Sequence, residues 1–432
     1  MSWTDNCCMP KEAYSAINDS IPLISALCKG IINALTYYNK TDYAKAYRIF
    51  GKSIESIRAF LFDTTIMTDR TSKINSYFRI RTGEKDFSSR KDLFHIPLST
   101  RDKIKSYRYS LAGFPCLYLS TDIELCWFEC GMPKHFSYSH YTFDKSANGL
   151  KLIDFAEDAF SIVNCLGILS YEIEKDEAVK RAVIETVQKY IITLPLKAAC
   201  SFSVKNKDSA FIEEYVLPQM LLLWMKEKTD YAGILYRTCS AIENAHDWNC
   251  INLVMPAREI TADYCSFLNS TLLMTKPIHV DLQKEVSKQS DVRKKVQEFI
   301  DYVETQSYEE GSALYPYRQF LSIARSFILQ YDALTGDNYS NAEALYQSFL
   351  TLNRTVELIR DQYAGIKQEA IEDVKRLNPF VDEDHIKERV ERQIKQFETC
   401  VVPAIQSFSN YASFALGTND FKPTDLKHPL EN

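Results

Sequence analysis

Glycine and proline are scarce in this 432-residue chain, at 12 and 14, which excludes long flexible linkers and low-complexity tracts. An excess of basic residues is missing too. Lys and Arg number 51 against 57 Asp and Glu, for a formal charge of −6. That composition excludes a general basic surface for nucleic acid, and an anionic ligand needs its own local arginines. The opening residues MSWTDNCC lack the basic-then-apolar order of a signal peptide. The strongest continuous apolar run, residues 216–225, includes Pro218 and Gln219 and is too short to cross a bilayer. These absences predict a cytoplasmic protein with neither a membrane nor a nucleic-acid partner. No CxxC pair occurs among the 12 cysteines; Cys126, Cys130, His135 and His140 come nearest to a ligand cluster. Their spacing suits reduced, buried thiols better than structural zinc, so no metal is expected.

What is present is an ordinary globular composition, 46% apolar and 25% charged, with 26 Tyr and 24 Phe to line cores or pockets. Residues 11–63 read as helical. Tyr47, Phe50, Ile54, Ile57 and Leu61 form a stripe on one face, and Asp63-Thr64-Thr65 closes the run. From about residue 75 the texture turns to short strands broken by turns, at 77–81, 115–120, 150–155, 232–236 and 250–255. Thr121-Asp122 starts a helix through Cys126, Trp127 and Phe128. Residues 174–191 read as an amphipathic helix, 194–204 as a buried strand and 210–226 as a further helix. Mixed strands and helices of this kind describe one α+β domain.

The rest is helical in pattern. Leu345, Phe349, Leu352, Val356, Ile359, Tyr363, Ile366 and Ala370 alternate by four and three, a coiled-coil-like seam. Asn378-Pro379 interrupts it, and Ile386, Val390, Ile394, Phe397 and Val401 stripe a return helix, which favours a hairpin within the chain. The expected organisation is an N-terminal helical region (1–70), an α+β domain (71–265) and a C-terminal helical region (280–420). The seam needs a cover, so these helices are expected to pack on the α+β domain or on a second copy of the chain.

Three residues within a short stretch carry potential chemistry: Arg108 in a turn, Tyr118 in a strand and Glu129 late in a helix. Singly, each has a plain structural reading, as a surface cation, a core aromatic and a solvated acid. Together, Arg108-Tyr109-Ser110-Leu111-Ala112-Gly113-Phe114, the strand Cys116-Leu117-Tyr118-Leu119-Ser120 and Glu129 resemble the RES domain family. Phe78-Arg79-Ile80-Arg81 resembles that family's opening strand, Glu214-Tyr215-Val216-Leu217-Pro218-Gln219 its late helix, and Gly233-Ile234-Leu235-Tyr236-Arg237-Thr238 the strand that usually ends in its signature serine. The resemblance covers about residues 75–256. It departs at Thr238, which stands in place of serine, and at Tyr109-Ser110, in place of Trp-Asn.

The resemblance implies an ADP-ribosyltransferase-like fold that consumes NAD⁺ as substrate, needs no cofactor and acts as a toxin or defence effector. An antitoxin or regulatory partner, and a homo-oligomer through the C-terminal helices, also follow from it and from the seam. By the same resemblance Glu129 and Arg108 are catalytic, while Arg79, Tyr118 and Thr238 bind NAD⁺. Two other readings stand beside it: transfer of ADP-ribose to a macromolecule, and an inactive RES fold serving as an interaction protein. His95, between Phe94 and Ile96, reads as a semi-buried structural histidine rather than a phosphate contact.

Overall fold

The computed structural model describes residues 11–68, 76–131, 133–157, 176–206, 209–228, 230–238, 251–261, 263–281, 293–301 and 425–431, with a few isolated positions elsewhere. Two helices lead the chain, α1 (Lys11–Asn39) and α2 (Tyr43–Ser56). The Asp42 carboxylate caps α2 by accepting from the Lys45 amide at 3.1 Å. The stripe read from sequence is the buried one, with Ala46, Phe50 and Ile54 inward. At Gly30 the two helices pack so closely that a Cβ would lie 1.9 Å from Ser53 Oγ.

Asp63-Thr64-Thr65 does not merely end a helix; it forms β1 (Asp63–Thr65), pairing with β5 (Lys151–Asp154). The pairing is fastened by Lys151 Nζ to Asp63 Oδ2 at 3.1 Å and Thr64 Oγ1 to Asp154 Oδ2 at 2.9 Å. These are long-range partners that local sequence does not announce. The other strands are β2 (Ser76–Thr82), β3 (Cys116–Ser120), β4 (His135–Phe143), β6 (Tyr231–Arg237), β7 (Ile251–Pro256), β10 (Leu272–Met274) and β11 (Ile278–Asp281). A separate pair, β8 (Ile260–Thr261) and β9 (Tyr264–Cys265), forms a small ribbon. Among the described residues the main sheet has nine strands, in the order β1-β5-β6-β7-β3-β2-β4-β10 with β11 also against β4. Every pairing in it is antiparallel except β5 with β6.

The strand β4, one place in from the sheet's edge, escapes the sequence reading because it is buried on both faces while carrying Ser137, Ser139 and His140, and its alternation changes phase at His140. The strand expected at 194–204 is corrected. Residues 194–200 belong to the helix α5 (Glu177–Cys200), which runs through Pro195. Ile192, Leu196 and Cys200 make a buried stripe at helical spacing in the core shared with the other helices, and that burial outweighs the breaker.

The remaining helices are α3 (Arg90–Leu93), α4 (Ile123–Glu129), α6 (Val216–Lys226) and α7 (Ser266–Thr271). One face of the sheet, with Ile153, Ile234 and Val254, shares an apolar core with α1, α2, α5 and α6. The other face, with Leu117, Leu119, Leu235 and Leu253, forms a second core that includes Tyr77, Tyr141 and Leu268. The mixed sheet and its helices make the α+β class. Within α1, Ser15–Asn39 is long and apolar enough to cross a membrane by length and composition; here its Leu27, Ile31 and Ala34 are buried in the helical core.

A helix occupies 293–301. The expected seam and its return helix, 345–401, lie outside the described residues. Beyond them the chain returns to the sheet. Arg90, 2% exposed, donates to the Met274 and Asp425 carbonyls and to Asp425 Oδ1, while Lys427 and Met274 exchange backbone hydrogen bonds.

Candidate functional site

Helix α4 carries the carboxylate. Its start is capped by Asp122, whose side chain accepts from the Leu125 amide at 3.1 Å. Ile123, Leu125 and Trp127 are buried, and Trp127 Nε1 donates to the Pro133 carbonyl at 3.0 Å. With the helix so fixed, Glu129 stands exposed at its last position. It is nevertheless held, since Asn252 Nδ2 donates to Glu129 Oε1 at 2.8 Å. Asn252 is 3% exposed and sits on β7 opposite Ser120 on one side and Tyr236 on the other.

Residues opposite one another on paired strands share a sheet face, as do alternate residues along a strand. Tyr118 is opposite Val254, two positions from Asn252. Tyr118, Ser120, Asn252 and Tyr236 therefore line one face, and Thr238 follows two residues after Tyr236. The Tyr118 hydroxyl donates to Ser110 Oγ at 3.0 Å, and its ring lies 5.8 Å from that of Tyr107. Burial pushes its phenol well above the usual tyrosine range.

Ser110 belongs to the turn that carries Arg108. Tyr107 and Ser110 exchange backbone hydrogen bonds across it, and Gln219 Nε2 of α6 donates to the carbonyls of both. The Arg108 guanidinium is committed nearby. Its Nη1 donates to the Cys200 carbonyl, at the end of α5, at 3.1 Å, and the group lies 5.5 Å over the Tyr215 ring. A helix C-terminus presents unsatisfied carbonyls and the negative end of its dipole, so a cation there is stabilising. Tyr118 thus reaches the Arg108 turn, but Arg108 itself is spent on the helix end.

Arg79 occupies a third position. Strand β2 pairs with β4 along Ser76–Thr82 but with β3 at Phe78↔Ser120 alone, so β2 and β3 part there. The Cys126 thiol, one turn before Glu129, donates to the Phe78 carbonyl at 3.3 Å and ties α4 to β2 at that point. Arg79, next along β2, projects from the face opposite Tyr118. Burial lowers its pKa, and Nη1 has no hydrogen-bond partner among the described residues. The Cys130 thiol is within electrostatic reach of both Arg79 and Glu129. Burial and then Glu129 raise it to about 11, with Arg79 opposing.

The five residues singled out in the sequence are thus not one cluster. Tyr118 lies on one face of β3, β7 and β6, where Glu129 joins it through Asn252 and Thr238 follows just beyond β6; Arg79 meets α4 from the other side; Arg108 braces a helix end. Asn252 was missed, although an amide inside the run Ile251–Met255 is a signal, because a buried side-chain amide needs a partner. His95 is buried as read: Nε2 accepts from the Cys265 amide at 2.9 Å, so Nδ1 carries the proton and donates to the Ile96 carbonyl. Among the described residues, no group of three or more His, Cys, Asp or Glu is arranged to hold a metal ion.

Comparison with known proteins yields one similarity to report. Over 244 residues the chain is 29% identical to a Bacillus subtilis (strain 168) protein named "Putative toxin YopC", a stretch covering 55% of this chain and 52% of that protein. The chain thus spans about half the length of the curated relative it matches. No protein-family model and no solved structure matches it.

Proposed function

We propose that this chain is a toxin that consumes NAD⁺, breaking the bond between nicotinamide and ribose on a RES-type, ADP-ribosyltransferase-like domain. The observation that carries the reading is the Glu129 carboxylate, exposed at the end of α4 yet held by Asn252, on the face lined by Tyr118 and beside the parting of β2 and β3. The name of the Bacillus relative supports the toxin role.

The chemistry suits a single carboxylate. The pyridinium departs with the electron pair of the broken C1′–N bond, as neutral nicotinamide, and needs no proton from an acid. The ribose is left with oxocarbenium character, which the fixed negative charge of Glu129 stabilises more than it does the ground state. Water then adds at C1′ and gives up a proton, leaving ADP-ribose. Tyr118 offers a ring to the cationic nicotinamide, worth about 0.5–2 kcal/mol. Arg79 brings a buried, unpaired N–H donor, which an anionic group satisfies. The Thr238 hydroxyl orients the ribose, and Arg108 serves the pyrophosphate by exchanging its carbonyl contact for a phosphate oxygen.

Incubating the purified chain with NAD⁺ labelled in its adenosine half tests this. Free labelled ADP-ribose is the expected product. Label on a macromolecule would mean transfer instead of hydrolysis, and intact NAD⁺ after prolonged incubation with folded protein would defeat the reading.

A further inference from the structure

We infer that Asn252 is the positioning residue for Glu129, a neutral donor that fixes the carboxylate without quenching its charge. This inference rests on the reading of Glu129 as the carboxylate of the NAD⁺-cleaving step. Three observations carry it. The contact is short and direct, Nδ2 to Oε1 at 2.8 Å. Asn252 is 3% exposed, in the middle of the sheet, with strands paired on both sides, so its backbone cannot drift. Glu129 by contrast is exposed at the last turn of a seven-residue helix, where an unheld side chain samples several rotamers.

The residue type matters. An arginine or lysine at position 252 would also bind the carboxylate, but its positive charge would offset the field that Glu129 has to present to the ribose. An aspartate would repel it. A carboxamide donates and stays neutral at every pH, so it adds no charge against that of Glu129 while it removes the freedom of one side chain. Holding a group in its working geometry before substrate arrives lowers the reorganisation required in the transition state. The consequence is specific: removal of the donor lowers kcat and leaves KM nearly unchanged, because NAD⁺ is gripped elsewhere.

Two variants and two readouts test this. Asn252→Ala is expected to lose about 10-fold or more in kcat with little change in KM. Asn252→Asp supplies a readout that a purely structural role does not. When protonated, the introduced carboxyl still donates to Glu129; when ionised it pushes Glu129 away, and two carboxylates sharing one site raise a pKa. That variant should work in mild acid and lose activity as pH rises, an alkaline limb absent from the wild type. Among the described residues, Asp122, Arg79 and the thiols Cys126 and Cys130 share this end of the site, and both thiols are raised above their ordinary range. Independently of turnover, ¹³C labelling of glutamate reports the Glu129 carboxylate, identified by its loss in Glu129→Gln. Its signal should move in folded Asn252→Ala. An unmoved signal, or wild-type kcat and pH profile in both variants, overturns the inference while NAD⁺ hydrolysis stands. A moved signal with no hydrolysis by the wild-type chain overturns the functional reading, and the catalytic role of Asn252 falls with it.

Discussion

At the scale of single residues, charge and shape separate cleanly at Glu129. Glu129→Gln keeps the volume and can still pair with Asn252, but it carries no charge to set against an oxocarbenium ion. Turnover of NAD⁺ is expected to fall at least ~10²-fold with KM little altered, the scale of one lost transition-state contact; wild-type turnover would return Glu129 to an ordinary surface acid. The histidines make a different prediction. Burial lowers His95 and His140 to about 4 from the ordinary 6.5. Their folded pKa is depressed, so the unfolded chain binds more protons between pH 6.5 and 4. Stability is therefore full above 6.5 and is lost as pH falls toward 4, by up to about 3 kcal/mol for each group. At His95 the reason is visible: protonated Nε2 would point an N–H at the Cys265 amide that it now accepts from. The melting temperature should be level from pH 8 to 7 and fall below 6.5, less steeply in His95→Gln. A level profile down to pH 4 contradicts the burial argument.

At the scale of elements, the end of α5 decides how Arg108 is read. The helix continues to Cys200, and the guanidinium meets the Cys200 carbonyl and the Tyr215 ring. Lysine keeps the charge but loses the planar fork that can bond a carbonyl and stack at once. Arg108→Lys is thus expected to lower the melting temperature, and, if the side chain also turns to the pyrophosphate, to raise KM for NAD⁺ as measured by initial rates. A lower melting temperature with an unaltered KM would confine Arg108 to the helix end. The β6–β7 pair is the other decisive element. A Cβ at Gly233 would lie 2.7 Å from the Val254 carbonyl oxygen, so these strands approach closely in the same pairing that sets Asn252 opposite Tyr236.

At the scale of the whole molecule, the chain end is anchored to the sheet through Arg90 and Asp425, and β11 lies on β4. A cut near Lys276 would remove both along with residues 282–424, so it cannot isolate what the expected seam does. A charge placed in the apolar seam can. If the seam packs on the α+β domain or on a second copy and limits NAD⁺ access, Val356→Glu should hydrolyse NAD⁺ faster and be more toxic when expressed. Equal or slower hydrolysis by soluble Val356→Glu would mean that this segment supports assembly instead.

The sequence by itself determined the α+β class, the strands at 77–81, 115–120 and 232–236, and the helix that presents Glu129. Each of these is written in local periodicity and capping, as with Thr121-Asp122 ahead of an apolar helix. Tertiary structure alone decided the rest. β1 exists because Lys151 and Asp154 wait for it across the fold, and β4 because β2, β10 and β11 pair with it while Tyr141 and Phe143 join the second core. Residues 194–200 are helical because one buried stripe runs through them. Asn252 became a partner of Glu129 only when β7 met β3 in register, 123 positions away along the chain. Hydrophobic periodicity records which side of an element is buried; it does not record what lies opposite, and a site made by strand pairing is defined by what lies opposite.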